Sequence, residues 1–155
     1  MVRGELTEAK AHLDQGIALY DPVKHQPMAL RFGEDQRVAV PFFRSKALWV
    51  LGYPDAARAD SVQALKDARE IGHPNSLLWA LGGASFIDIL CGDYASANSR
   101  IEECTAFADE KKAAFWKAFA MMGRGWLLSL TDSLSDAVQT ITAGVTAMHS
   151  GGATV

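Results

Sequence analysis

Alanine recurs at Ala57, Ala97 and Ala137, at intervals of 40 residues (57, 97, 137). Five residues before each stands a turn former: Gly52, Gly92 or Asp132. Seven residues after each stands a small residue, Ala64, Cys104 or Gly144, followed by Leu65, Thr105 or Val145. A fourth copy reads Gly4, Ala9, Gly16, Ile17; its glycine precedes Gly52 by 48 rather than 40 positions (52 − 4), which places an insertion of 8 between the first two copies. A fixed period of this length marks stacked supersecondary units, each burying its apolar face on the next. Two small residues seven apart share one helical stripe, because two turns span about 7.2 residues. Such a stripe lets a neighbouring helix approach closely.

The punctuation supports helices throughout. Residues 5–20 form one helical stretch ended at Asp21-Pro22, and residues 21–35, with Pro22, Pro27 and Gly33, form an irregular connection. The next helix ends at Leu51 before Gly52, and Pro41 requires it either to start near Val40 or to bend there. Pro54 and Pro74 suit first helical positions, where a missing N–H costs nothing. Further helices run from Pro54 to Ile71, from Pro74 to a stop before Gly92, from Tyr94 to Glu110, from Ala113 to Leu130 and from Leu134 to Ser150. No β-branched segment alternates like a strand. The fold class is therefore all-α: an α-solenoid of antiparallel helix pairs, about seven helices in one domain over 1–155. The pairs are a half repeat at 4–20 and full pairs at 36–72, 74–110 and 113–150.

The segment GYPDAARADSVQAL from Gly52 resembles the second half of a tetratricopeptide-type repeat. That family's period is about 34 residues, so the helices here are longer. The stretch ALYDPVKHQP…RFGEDQRVA…KALWVLGYPDAARADSVQALKDAREIGHPNSLLWAL resembles the C-terminal repeat region of large bacterial signalling proteins. Those proteins join a nucleotide-cyclase or other output domain to a P-loop ATPase domain and a helical repeat tail. The resemblance covers nearly all of the chain and is strongest from Ala18 to Leu81. It implies a tetratricopeptide-like solenoid with a regulatory or scaffolding role in the cytoplasm, and it carries over no catalytic residue. No G-x-x-x-x-G-K-[ST] loop is present. The register starts at a second helix and stops at SGGATV after another, so the chain is expected to be part of a longer solenoid. The last helix is rich in Ala, Val, Ile and Met where a solenoid needs a polar cap. An apolar end face and homo-oligomerisation through the terminal helices follow from that.

Composition narrows the function classes. Hydrophobic residues are 49% and charged residues 21%, with a net charge of −3, values that exclude disorder and give no nucleic-acid footprint. No apolar run reaches the ~20 residues of a membrane span, and MVRGELTEAKAHL has no apolar leader core. Cys91 and Cys104 lack a C-x-x-C partner and suit a reducing compartment; Cys104 falls in the small-residue column as a buried thiol. His12, His25, His73 and His149 are scattered without metal spacing, and neither G-x-S-x-G nor a dinucleotide fingerprint occurs. The expectation is a non-enzymatic chain with no metal and no cofactor.

Three features are candidates for binding. In tetratricopeptide stacks the first helix of each pair lines the concave face. That pattern assigns Phe42, Phe43, Lys46 and Trp49 from one first helix, Trp79 and Phe86 with Gly82, Gly83 and Ile89 from the next, and Phe119, Met122 and Trp126 with Gly123 from the third. Aromatics at helical spacing are more often interior, so most of these are expected in the core; any that face outward would form a groove for an amphipathic or extended peptide. The second feature is charged. Arg44 and Arg124 occupy equivalent positions two repeats apart, and Asp88 falls near the position between them. Stacking would place Asp88 between the arginines as a structural ion-pair cluster, with an anionic-ligand site as the alternative. The third is the insertion Tyr20–Val38, with His25, Arg31, Glu34, Asp35 and Arg37, expected to be a folded-down connector. The expected function is a protein–protein interaction or regulatory module whose partner is a protein, a peptide or an adjacent domain of the same polypeptide. The alternative is a small-molecule or anionic-ligand sensor using the concave face.

Overall fold

The computed structural model describes residues 5–131 and 134–150. The described residues are helices and turns, with no strand among them. The helices are α1 (Leu6–Ala18), α2 (Pro22–His25), a 3-10 turn (Gln26–Met28), α3 (Ala29–Phe32), α4 (Gln36–Val50), α5 (Pro54–Ile71), α6 (Pro74–Leu90), α7 (Tyr94–Glu110), α8 (Ala114–Thr131) and α9 (Leu134–Ser150). From α5 onward the first residues are Pro54, Pro74, Tyr94, Ala114 and Leu134, one every 20 positions. The 40-residue sequence period is thus two structural half-periods of equal length. No described helix is long and apolar enough to cross a membrane.

The half-period comes from repeated helix stops. At the end of α4, the Tyr53 N–H donates to Leu48 O at 2.9 Å and the Gly52 N–H to Trp49 O at 3.0 Å, with Gly52 at φ 86°. The same pair of bonds ends α6, from Asp93 N to Asp88 O and from Gly92 N to Ile89 O, with Gly92 at φ 77°. The two bonds satisfy carbonyls left open at the last turn, and the left-handed residue between them favours glycine. The end of α7 repeats the geometry with Lys112 in the left-handed position at φ 54°, forty residues after Gly72 at φ 69°.

Contacts divide the chain into two compact units, Met1–Ile87 and Asp88–Val155. The division falls inside α6, so no linker in the sequence announces it. In the first unit α4 packs on α5 and on α1. Helix α4 starts at Gln36, not at Val40: the Asp35 side chain caps it by accepting from the Arg37 N–H at 2.8 Å, and Pro41 lies inside the helix. In the second unit α7 packs on α8 and α8 on α9.

The alanine column is buried: Ala57 and Ala97 are 0% exposed and Ala137 1%. Ala64, Cys104 and Gly144 are buried as well. In the second unit the close approach is reciprocal. A Cβ on Gly144 would lie 3.0 Å from Ala118 O, and one on Gly125 would lie 3.0 Å from Ala137 O and from Ile141 N. Each helix thus presents a glycine to the other's backbone. Two members of the fourth copy differ from this pattern or escape it. Ala9 is exposed, because α1 buries none of its residues and rests on α4 through Gly16, 3.4 Å from Val40 Cγ1 as measured from a Cβ position. Gly4, like Asp132 of the third copy, lies outside the described residues.

Candidate functional site

The aromatics of the first unit gather on α4 and α6. Phe42 is buried, its ring T-shaped to Phe43 at 4.9 Å and to Trp79 at 4.8 Å between centroids. Phe43 is 45% exposed and lies 5.9 Å from Trp79. Glycine makes room for this assembly: a Cβ on Gly83 would collide with Cδ2 and Cε2 of Phe42. Gly83 is therefore the seat of the Phe42 ring rather than a gap in a groove, Gly82 is buried, and Ile89 is core.

Lys46, one turn after Phe42, completes the cluster. Its ammonium sits 3.7 Å from the Phe42 ring centroid, 5.5 Å from that of Phe86 and 5.7 Å from that of Phe43. Ring faces attract a cation, yet loss of water outweighs them: burial brings the Lys46 pKa down to about 8. Trp79, Phe86 and Trp49 are half-buried. Five of the candidate residues, Phe42, Phe43, Lys46, Trp79 and Phe86, therefore meet, with Phe42 in the core as the floor.

In the second unit Phe119, Met122 and Trp126 are half-buried. Phe119 meets the buried Trp116 edge-to-face at 5.5 Å, and Met122 lies against Gly144. Trp116, with Phe115 T-shaped to it at 5.2 Å, belongs to the aromatic cluster here and was not among the expected residues.

The three charged residues take partners other than those expected. Arg44 Nε and Nη2 donate to the two carboxylate oxygens of Asp60 at 2.6 and 2.7 Å, and Nη1 donates to Asp14 at 2.8 Å. The Asp60 hydrogen bonds foremost hold the guanidinium charged against its burial. Asp14 has its pKa lowered by hydrogen bonds from Lys10 and then Arg44. Asp88 accepts from Arg100 on α7, and Arg124 lies 3.7 Å from Glu102. These partners sit on the second helices and on α1, which a comparison of equivalent first-helix positions does not scan. Asp60 is the one a sequence argument had within reach, being 16 residues after Arg44 across the α4–α5 turn.

Beside Arg44 opens a cleft of about 320 Å³, lined by Ile17, Tyr20, Gln36, Arg37, Pro41, Arg44, Asp60, Gln63 and Asp67. Its charges are paired within its own walls: Arg37 Nη2 lies 2.6 Å from Asp67 Oδ1, and Gln63 donates to the same oxygen at 2.9 Å.

The insertion is tied down. Fully buried Asp35 accepts from the Tyr20 hydroxyl at 2.9 Å, and its N–H donates to Ser76 Oγ at 2.9 Å. Ser76 Oγ lies 3.0 Å from His73 Nδ1, and Asn75 donates to Gly33 O. Burial and the Asp35 bond push the Tyr20 pKa up to about 12. His25 ring nitrogen Nδ1 accepts from the Asp21 N–H, and Arg37 also meets Glu70 at 2.9 Å. Burial raises the Glu34 carboxyl. Cys104 is buried and its thiol pushed up to about 11 by burial and then Glu103, which leaves it a poor nucleophile. Among the described residues no three His, Cys, Asp or Glu side chains gather as a metal site.

Fold and site together define an all-helical protein with a partly exposed aromatic cluster and a lysine seated on it. No family model, curated protein or solved structure matches the chain.

Proposed function

We propose that this chain is a non-enzymatic interaction module with tetratricopeptide-like repeats, serving as a regulatory scaffold in a bacterial signalling protein of the cytoplasm. Its docking surface is the α4–α6 face bearing Phe43, Trp79, Phe86 and Lys46. The observation that supports this best is the state of Phe43: it is 45% exposed while its neighbour Phe42 is buried and both rings touch Trp79. A large apolar side chain held at a rigid aromatic edge has the character of a binding anchor. The partner is a peptide segment of another protein or of an adjacent domain, not a nucleic acid or a membrane. A phage-displayed random dodecamer library selected on the full chain tests this. Recovered peptides should bind Phe43→Ser about tenfold more weakly; equal binding to both chains overturns it.

A second reading, a sensor of a small anionic ligand, has the 320 Å³ cleft beside Arg44 in its favour. The pairing of Arg44 with Asp60 and Asp14 opposes it, because an anion must displace carboxylates already bonded. Thermal shift against nucleotides and acidic metabolites separates the two. A ligand at a hundredfold excess over its Kd adds about 2.7 kcal/mol of stability; a flat panel removes the sensor reading.

The outer side of α9 exposes Leu134, Val138 and Val145, spaced along one face. This row is consistent with self-association through the terminal helix. Sedimentation velocity at tens of micromolar tests it, a Val138→Lys variant being monomeric where the parent is not.

A further inference from the structure

Lys46 stands apart from the other partly buried cations of the first unit. Arg44 is bonded to Asp14 and Asp60, and Arg37 to Asp67 and Glu70. Around the Lys46 ammonium lie ring faces: Phe42 at 3.7 Å, Phe86 at 5.5 Å and Phe43 at 5.7 Å. Among the described residues no carboxylate is hydrogen-bonded or ion-paired to it, although 18 Asp and Glu make the chain acidic. A cation taken from water without a counter-ion is costly, and an incoming carboxylate would meet it where the dielectric is low and Coulomb attraction strong. Apolar surface flanks the same point, with Phe43 exposed and Trp79 and Phe86 half-buried.

We propose that the Lys46 groove selects peptide segments carrying an aspartate or glutamate between apolar residues, the carboxylate meeting the Lys46 ammonium while the apolar neighbours lie on Phe43 and Trp79. This rests on the docking reading above and adds the charge of the partner to it. Two features set the order of events. The rings are already assembled on Gly83, so the apolar contacts need little reorganisation. The ammonium sits on the rings rather than in a protein ion pair, so the partner's carboxylate displaces no competing acid. A basic peptide is rejected by the same feature, since it would bring a second cation to a site that repels it.

The test is a parallel selection of the dodecamer library on the full wild-type chain and on Lys46→Met, whose unbranched apolar side chain keeps the rings covered. Acidic peptides with apolar neighbours should be enriched at least fivefold over basic ones on the wild type, and that bias should vanish on Lys46→Met while apolar peptides are still recovered. Synthetic peptides from the wild-type pool, each with its Glu→Gln counterpart, should show a fivefold or greater loss of affinity on wild type and no loss on Lys46→Met. The same acidic bias on both chains, or peptides without acids on the wild type, overturns the charge selection and leaves the docking surface standing. Recovery of no peptide on either chain overturns both. Circular dichroism of Lys46→Met matching the parent assures that the comparison is between folded chains; if that variant fails to fold, Lys46→Gln takes its place.

Discussion

The ring of Phe42 lies on the backbone of Gly83, where a Cβ would run into its Cδ2 and Cε2 carbons. An absent methyl group on α6 thereby positions a ring on α4, and that ring carries Lys46 above it at 3.7 Å. The groove depends on a residue that contributes no side chain to it.

Gly83→Ala tests that dependence. Alanine is better than glycine inside a helix by about 1 kcal/mol, but overpacking a filled site costs about 1–3 kcal/mol. Phe42 is held by Phe43, Trp79 and Lys46, so the clash prevails and the variant is less stable. Urea denaturation measures the loss; an unchanged or raised midpoint contradicts the close contact.

Two glycines of α8 should respond with opposite sign. A Cβ on Gly123 would meet Ile101 carbons at 3.7 Å, an ordinary contact, so Gly123→Ala gains about 0.5–1 kcal/mol from helix propensity. A Cβ on Gly125 would lie 3.0 Å from Ala137 O and 2.5 Å from Ile141 Cγ1, and backbone cannot swing aside. Gly125→Ala therefore loses about 1–3 kcal/mol. Thermal melts of the two variants, moving to either side of the parent, are the check.

Lys112 holds the left-handed position that Gly72 holds forty residues earlier, at φ 54° against 69°. A side chain there crowds the following carbonyl and costs about 1 kcal/mol or more. Lys112→Gly is expected to stabilise by about 0.5–1 kcal/mol after glycine's greater freedom in the unfolded chain is deducted. Gly72→Lys moves the other way. Chemical denaturation of both, with the sum of shifts near zero in the double variant, tests the equivalence.

Stability should rise with pH above about 8 through Lys46. Burial lowers its folded pKa to about 8 from the ordinary lysine value of 10.5. Between those values the unfolded chain binds more protons than the folded one, so unfolding free energy increases with pH across that window. Below pH 8 the folded state bears the full cost of the buried ammonium. Lys46→Met should melt higher than the parent at pH 7, with the gap shrinking from pH 8 to 10.5. A gap that stays constant across that range would mean the ammonium is not desolvated.

Much of the fold was legible in the chain. The alanine column at 57, 97 and 137 and the turn glycines at 52 and 92 mark elements whose requirements are local. A buried stripe needs a small residue at helical spacing, and a left-handed stop favours glycine. The equal 20-residue step was half hidden, because Lys112 breaks the glycine rule where Gly72 obeys it. The start of α4 stands between two readings in the sequence, because Pro41 permits either a start near Val40 or a continuous helix through it; the Asp35 cap on the Arg37 N–H decides for the earlier start at Gln36. The groove candidates on α4 and α6 come from projecting the tetratricopeptide pattern onto the helical register, which groups residues of one helix face without deciding which of them are buried.

Partner choice for the charges was not legible. Arg44, Asp88 and Arg124 align in the repeat, yet Arg44 is bonded to Asp14 and Asp60, Asp88 to Arg100, and Arg124 stands near Glu102. Long side chains reach across whichever helices pack beside them, and that adjacency is three-dimensional. The sequence by itself determined helices, stops and small-residue stripes, because backbone geometry and spacing dictate those within a few turns. Only the tertiary structure decided which rings are floor and which are surface, and that Lys46 is left facing aromatics, because burial and electrostatic pairing depend on atoms brought together from distant segments.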